Sequence, residues 1–582
     1  MKKVLSVTFM VTLVCATLFA SGGTQQSGGS QRSSGTSATG QVVQKEAITD
    51  TVLNQLGLER SGSTYRFKQT KSITVEVFDR GLDGGRSKPE DNFYTNWIKA
   101  GMLRDHNIAV TFKPVGRWTE IDELNNLLAA GTAPDICVTY NYPTIQAYAN
   151  MGGVLDLNPY INRYVDLFPN IWGWLGEEFI NYDRDPKTQQ LWALEGRISN
   201  DAGQNVFVRS DWLKKLNMAE PTTLDEFYKM LCAFRDNAQL LLGNDANMMT
   251  PFIMGQDVGW QARNLIVSFL PDNMTDRDWF IYGFDDRHLG RPGSVANEIA
   301  VKSAMRVLNK WYNENLIWKD FALYGSGDTT QDNLTKSGYV GAFMQNWDVP
   351  YRDGKNSITA ALHTNVGPDA NFIAVHSFPN NAGRNVQVSG PMVDRKVFFP
   401  SSNKEPVASL FYLDWIHKQE NLFYLQFGDA GVTHQVMPNG AVQGIATTGE
   451  KIINSPNNID YTTLINGIKM PTEDLKVKSM VLAYSEVDLS IVEQAYARAS
   501  APRNDFGKAN VGVIESEEGM GQVLDNKRNA IYAKAIPASV AQFDSVFDSG
   551  YRDWLGSGGQ AIIDERAAKW KEFYGDKTSV SD

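Results

Sequence analysis

The sequence predicts an α/β protein built from more than one domain, and three features carry that reading. Apolar residues at period two alternate with helix-like segments from residue 70 to residue 139. Strand-like and helix-like segments alternate again at 206–234 and between 336 and 418. A chain of 582 residues is also longer than one hydrophobic core usually organises.

In the first stretch, residues 72–79 (SITVEVFD) place Ile73, Val75 and Val77 on one side of a strand. Residues 91–104 read as a helix and residues 108–112 as a second strand. Thr119, with Asp122 three residues on, reads as an N-cap opening a helix whose apolar face is Ile121, Leu124, Leu127 and Leu128. Residues 135–139 form the third strand, so the whole is a βαβαβ unit with a parallel sheet. In such sheets ligands bind beyond the carboxyl ends of the strands. Those ends supply Asp79 and Arg80, then Arg117 and Trp118, then Tyr140, Asn141 and Tyr142. The plainer reading is that these rings only pack the loops.

The second stretch, VFVRSDWLKKLNMAEPTTLDEFYKMLCAF at 206–234, runs from a β-rich segment into a helix. Thr223 and Glu226 resemble a capping box, with Leu224, Phe227, Leu231 and Phe234 on one helical face. At 336–350, KSGYVGAFMQNWDVP is a short apolar strand ending in Asn346-Trp347-Asp348. Residues 387–418 pass through Ser402-Asn403-Lys404 into an amphipathic helix with Phe411, Leu413 and Trp415. The last third alternates helix-like segments with polar loops, and no internal repeat is evident.

The N-terminus reads as a processing signal. Lys2 and Lys3 precede an apolar run over residues 4–19, too short to span a bilayer comfortably, and Leu18-Phe19-Ala20 offers a cleavage site. Cleavage there leaves 53 basic against 66 acidic residues, deepening the net charge from −11 to −13. An acidic chain is a poor nucleic-acid partner, because phosphate binding needs a basic face. SGGTQQSGGSQRSSGTSATG follows with nothing to bury, so residues 21–69 are expected as flexible tether and lead-in. Cys15 sits inside the apolar run, a poor lipidation context, so a soluble exported protein is expected over a lipid-anchored one. Cys137 and Cys232 lie on apolar faces and are expected as buried free thiols.

Four segments in order resemble the family 1 extracellular solute-binding proteins that feed ABC importers, typically with sugars: AGTAPDICVTY, VRSDWLKKLNMAEPTTLDEF, GYVGAFMQNWD and SSNKEPVASLFYLDWI. They cover residues 70–420, and the length is similar to the longer, lipoprotein-like branch found beside carbohydrate permeases. The resemblance implies a two-lobed periplasmic-binding-protein fold of type II, each lobe a mainly parallel sheet flanked by helices, joined by a multi-segment hinge. Lobe 1 would hold residues 70–206 and 390–455, and lobe 2 residues 207–389 and 456–582. It implies an oligosaccharide ligand, permease subunits as partners and a working monomer, with no cofactor or metal. The family's aromatic positions match Tyr140, Asn141 and Tyr142 on one lobe and Trp347, beside Asp348, on the other. In this arrangement Trp347 is a stacking ring that is solvated in the open state. Loop placement and residue chemistry add Asp79, Trp118, Trp260, Glu195 and Arg197. One departure is the missing cysteine at the cleavage site, which bears on anchoring and leaves the fold untouched.

The enzyme classes fare less well. Six histidines include no pair at i, i+4, so the H-E-x-x-H zinc site is absent. No G-x-S-x-G elbow occurs, and Gly444 to Gly449 is followed by Glu450 where a phosphate loop needs lysine. Asp183 and Asp185 read as a solvated loop. A secreted glycoside hydrolase is the serious rival, since an acidic aromatic cleft would serve it equally. A binding protein for a non-sugar solute and a surface adhesin are the others. Mature protein is expected to begin close to Ser21, which N-terminal sequencing checks; a retained Met1 or lipid at Cys15 would overturn the export signal.

Overall fold

Two β-sheets, each with its own apolar layer, organise the chain. The computed structural model describes residues 43–80, 88–199, 202–283, 289–295, 297–325, 328–376, 378–385, 387–389, 392–445, 450–451, 453, 458–484, 487–500, 503–517 and 519–581. The signal peptide expected over residues 1–20, and the tether up to residue 42, lie outside them.

The chain enters through a helix, Asp50–Leu56, and a hairpin of β1 (Leu58–Ser61) and β2 (Thr64–Phe67), so the lead-in is folded from residue 50 rather than flexible to residue 69. The first sheet takes β3 (Lys71–Asp79), β4 (Ile108–Gly116), β5 (Cys137–Thr139) and β6 (Leu194–Ile198). After crossing, the chain builds the second sheet from β7 (Gln204–Arg209), β8 (Thr250–Phe252), β9 (Val340–Asn346) and β10 (Phe372–Val375). It returns past β11 (Gln387–Ser389) into β12 (Val393–Phe398) of the first sheet. A hairpin of β13 (His434–Val436) and β14 (Val442–Gly444) follows, then β15 (Ile465–Asn466) beside β6. β16 (Arg503–Asp505) pairs with β11 on the crossing path.

The first sheet runs β4-β3-β5-β12-β6-β15, its two halves joined by the parallel bridge Val75–Ile136. All its strands share one direction except β12, which is antiparallel to both β5 and β6. The second sheet runs β10-β7-β9-β8, with β7 antiparallel to β10 and β9. The sheets are mainly parallel, as expected, each with one reversed strand, and the reversal has one physical reason in both lobes. β7 and β12 are the strands by which the chain arrives from the opposite lobe. A strand entering at the cleft edge must run away from it, against strands that end there.

Ile73, Val75, Ile98, Phe112, Ile136 and Phe411 share the first core, and Val206, Trp212, Phe227, Phe252 and Trp311 the second. The helices Gly521–Ala535 and Phe543–Trp554 add Leu524, Ile531 and Phe547 to the second core. Pairing of β15 with β6 keeps the chain in the first lobe to residue 466, past the expected boundary at 455. The helix Pro406–His417 is buried from Ala408 onwards, so it runs through the first lobe's core where an amphipathic helix was expected. Ile121 of the Glu120–Ala129 helix is exposed, and Thr119 gives its hydroxyl proton to Glu123 without capping the helix. Both mature thiols are free, Cys137 buried and Cys232 half-buried.

Gly341 sits where β9 passes under a helix of the second lobe. A Cβ there would lie 2.5 Å from a Phe234 ring carbon, 2.8 Å from the Pro251 carbonyl oxygen and 2.9 Å from a Trp212 ring carbon. Gly341→Ala is expected to destabilise the chain by about 1–3 kcal/mol through overpacking. Urea denaturation checks it as a lowered midpoint with an unchanged slope.

Candidate functional site

The sheet directions bring the carboxyl ends of β3, β4, β5, β6 and β15 to one edge of the first lobe. On the second lobe, Asn346 at the end of β9 pairs with Gln204 at the start of β7, and the Trp347 N–H donates to the Gly203 carbonyl at 3.1 Å. Between these edges lies a cavity of about 880 Å³. Trp260, Trp347, Asp348 and Tyr484 line one side, Asp394 and Asn466 the other.

Each polar group at that cavity is oriented by a neighbour. The Trp260 indole N–H donates to Gln345 Oε1 at 2.9 Å. Asp348 pairs with Arg352 and accepts from the Tyr484 hydroxyl at 2.8 Å. Asn466 donates to Asp394. Trp347 departs from the expected solvated ring: it is 3 % exposed, clasped edge-on by Tyr484 and Tyr496 at 5.5 and 5.2 Å. A strand end next to a packed helix pair leaves the indole only one edge towards the cavity, so it serves core and cleft together.

Tyr142 and Glu195 are placed elsewhere. They line a second cavity of about 370 Å³ with Asp183, Lys396 and Lys508. The register sets Lys396 opposite both Thr139 and Glu195 across three strands. Asp183 is buried, against the expected solvated loop; its neighbour Asp185 does cap its own turn, accepting from the Lys187 and Thr188 N–H groups. Lys508 pairs with Asp183 and donates to the Tyr182 carbonyl at 2.8 Å, while the Tyr142 hydroxyl donates to the Asp183 carbonyl at 3.1 Å. Burial, then the Asp183 charge, push Glu195 up to about 10, so it is a neutral acid near pH 7 and hydrogen-bonds Asp183. Burial also pushes Asp183 up, but Lys508 and the Glu195 proton outweigh it and hold Asp183 below the usual carboxylate range.

Asp79, Trp118 and Tyr140 gather around Arg117, outside the lining of the three cavities. Its guanidinium lies 3.8 Å from the Tyr140 ring and 5.1 Å from the Trp118 ring, and the Arg117 backbone N–H donates to the Asp79 carbonyl at 2.8 Å. Trp118 is 72 % exposed. Asn141 accepts from the Thr144 N–H as N-cap of the helix Tyr142–Asn150. Arg197 opens a third pocket, beside Trp174. Asp394, Asn466 and Tyr484 escaped sequence reasoning, because each follows a segment with no period of its own. Among the described residues no group of three or more His, Cys, Asp or Glu side chains is placed to hold a metal.

The Glu195 shift has a sign. The folded chain keeps a proton from the ordinary value of 4.5 up to about 10 that the unfolded chain has lost. The associated stability is complete below 4.5 and drains as pH rises through that window. Glu195→Gln keeps a neutral donor that does not titrate. Thermal melts are expected to show the variant gaining on the wild type from about pH 5 to about pH 9.

No family model matches the chain. The lipoprotein LipO of Bacillus subtilis (strain 168) is 26% identical over 233 residues, which is 38% of this chain and 40% of that protein. The match thus spans less than half the length of that curated relative. Among solved structures, the alginate-binding protein AlgQ2 without calcium ion superposes with a TM-score of 0.58 at 17% identity, over 88% of this chain and 100% of that one. An HMO-binding, ABC-transporter-associated solute-binding protein from Bifidobacterium longum infantis gives 0.59 at 14% identity, over 86% and 99%. The fructo-nystose complex of the S. pneumoniae substrate-binding protein FusA gives 0.54 at 13%, over 87% and 100%. At these identities the likeness establishes the fold, and the fold is that of the two-lobed extracellular solute-binding proteins of ABC importers.

Proposed function

We propose that this chain is the extracytoplasmic binding component of an ABC importer, capturing a sugar or oligosaccharide between its lobes and delivering it to a membrane permease. The observation that carries the reading is the cavity of about 880 Å³, lined by two indoles of the second lobe and by oriented polar groups of both lobes. A pyranose presents apolar C–H faces to rings and hydroxyls to carboxylates and amides. Trp260 and Trp347 supply the first; Asp348, Asp394 and Asn466 supply the second. Trp118, Tyr140 and Asp79 would meet a ligand that extends beyond the cavity. AlgQ2, the HMO-binding protein and FusA, whose descriptions name saccharide ligands, share the fold.

Capture needs no chemistry. Ligand touching both lobes stabilises the closed form by its differential affinity, and the closed complex docks on the permease as a monomer. The Lys2-Lys3 signal supports export, and no helix among the described residues is long and apolar enough to cross a membrane. A hydrolase reading gains nothing from the cavity's carboxylates. Asp348 is engaged by Arg352 and Tyr484, and Asp394 by Asn466. The protonated carboxyl of Glu195 belongs to another cavity and faces Asp183.

A thermal-shift screen of mono- and oligosaccharides is expected to yield a hit without turnover; ligand at a hundred times its dissociation constant adds roughly 2.7 kcal/mol. Product that accumulates from a glycan and is lost in an Asp or Glu variant would sink the binding reading. Trp260→Ala is expected to weaken binding by about 2 kcal/mol with little change in the ligand-free melt. Trp347→Ala should lose binding and also about 3–5 kcal/mol of stability, because that indole is core as well.

A further inference from the structure

We propose that the pocket beside Trp174 is a subsite for a negatively charged substituent, a carboxylate or sulfate group carried by the saccharide in the main cavity. The inference rests on the saccharide reading above and narrows its ligand to an acidic class.

The pocket has a volume of about 340 Å³ and shares Ile198 and Ile468 with the main cavity, so the two adjoin. Three cations line it: Arg197, Lys469 and Lys476. Lys476 is engaged, pairing with Glu473 at 2.7 Å and donating to the Ser199 carbonyl. The other two converge on one ring. The Arg197 guanidinium lies 5.3 Å from the Trp174 ring centre, and the Lys469 ammonium lies 5.1 Å from the same ring. Arg197 also stands 4.9 Å from the Phe179 ring, and the one hydrogen bond its guanidinium makes to a described residue is a long one, 3.4 Å, to the Trp174 carbonyl. No carboxylate pairs with Arg197 or Lys469 among the described residues. Glu473, the acidic residue of the lining, is 68% exposed and committed to Lys476.

Folding therefore brings two half-buried cations together without a counter-ion among the described residues. Burial lowers the Lys469 pKa, and the Arg197 charge lowers it further, which is the mark of a positive site lacking its anion. Ring faces compensate such charges only in part. The indole that holds them is itself fixed, since Trp174 Nε1 donates to the Leu464 carbonyl at 2.9 Å. A planar guanidinium beside an ammonium, at the wall of a sugar-sized cavity, matches an acidic substituent far better than another hydroxyl.

The test is a glycan array holding neutral, uronate-bearing and sulfated oligosaccharides, followed by titration of the strongest binder against wild type, Arg197→Gln and Lys469→Met. The expected result is that the strongest binder is acidic and that each variant weakens it at least about tenfold. Its methyl-esterified or desulfated counterpart should bind the three proteins alike, and circular dichroism melts should show both variants folded. Uronate against sulfate hits tell the two substituents apart. If every strong binder is neutral, or an acidic binder is unmoved by both substitutions, the subsite is refuted while the saccharide reading stands. If no saccharide of any class binds, the saccharide reading falls and takes the subsite with it.

Discussion

Much of the binding architecture hangs on one buried guanidinium. Arg395 on β12 is 1 % exposed and donates to the carbonyls of Ile459 and Ile465, which pins the segment 459–465 against the first sheet. A charged donor on a backbone carbonyl is a strong bond in a dry interior, and removing it would leave the two carbonyls to share the single Thr462 hydroxyl proton. That segment then carries everything beside it. The Leu464 carbonyl accepts from both the Arg197 N–H at 3.0 Å and the Trp174 indole at 2.9 Å. Asn466 reaches Asp394 at the main cavity, and Lys469 follows three residues later at the charged pocket. The wall between the two cavities is thus rigid on the first lobe, and lobe motion need not disturb it.

The second lobe contributes its side of the cleft in a different way. Trp347 is locked by Tyr484 and Tyr496, and Tyr484 in turn holds Asp348, which Arg352 also engages. A ring fixed in this manner loses little conformational freedom when a ligand arrives, so contact with it is not offset by ordering. Trp260 is held more lightly, by a single hydrogen bond to Gln345, and Trp118 has an open face. The three indoles therefore differ in how firmly they are held, Trp347 most and Trp118 least.

Sequence periodicity exposed what local patterns can expose. β3, β4 and β5 follow their alternating apolar residues, and Thr223 and Glu226 do form the capping box, with the Glu226 N–H donating to Thr223 Oγ1 at 3.2 Å. The antiparallel placement of β12 and β7 was hidden, because strand direction depends on which lobe the chain comes from. The burial of Asp183 was hidden for a related reason: its partner Lys508 lies 325 residues away, and a turn of polar residues looks solvated until that lysine arrives. Arg197 could be proposed from its place at a strand end, but not its pocket, since Lys469 and Trp174 meet it only through the long return of the chain. The tertiary crossings that escape a sequence reading are the ones that build the cavities.

Charge shows the same divide between the local and the global. The chain carries a net charge of −11, and judged by that number alone it should repel an acidic ligand. At physiological salt, however, surface charges are screened within about 8 Å, so distant carboxylates scarcely reach a pocket whose own walls are positive. Arg197 and Lys469 both lie against one indole, whereas the excess acidic residues are spread over the rest of a long chain. The net charge governs solubility and non-specific association, whereas in the proposed subsite the local charge of the pocket would govern which substituent is held. An acidic protein with a cationic recess also gains discrimination, because an anion that does not fill the recess meets only repulsion.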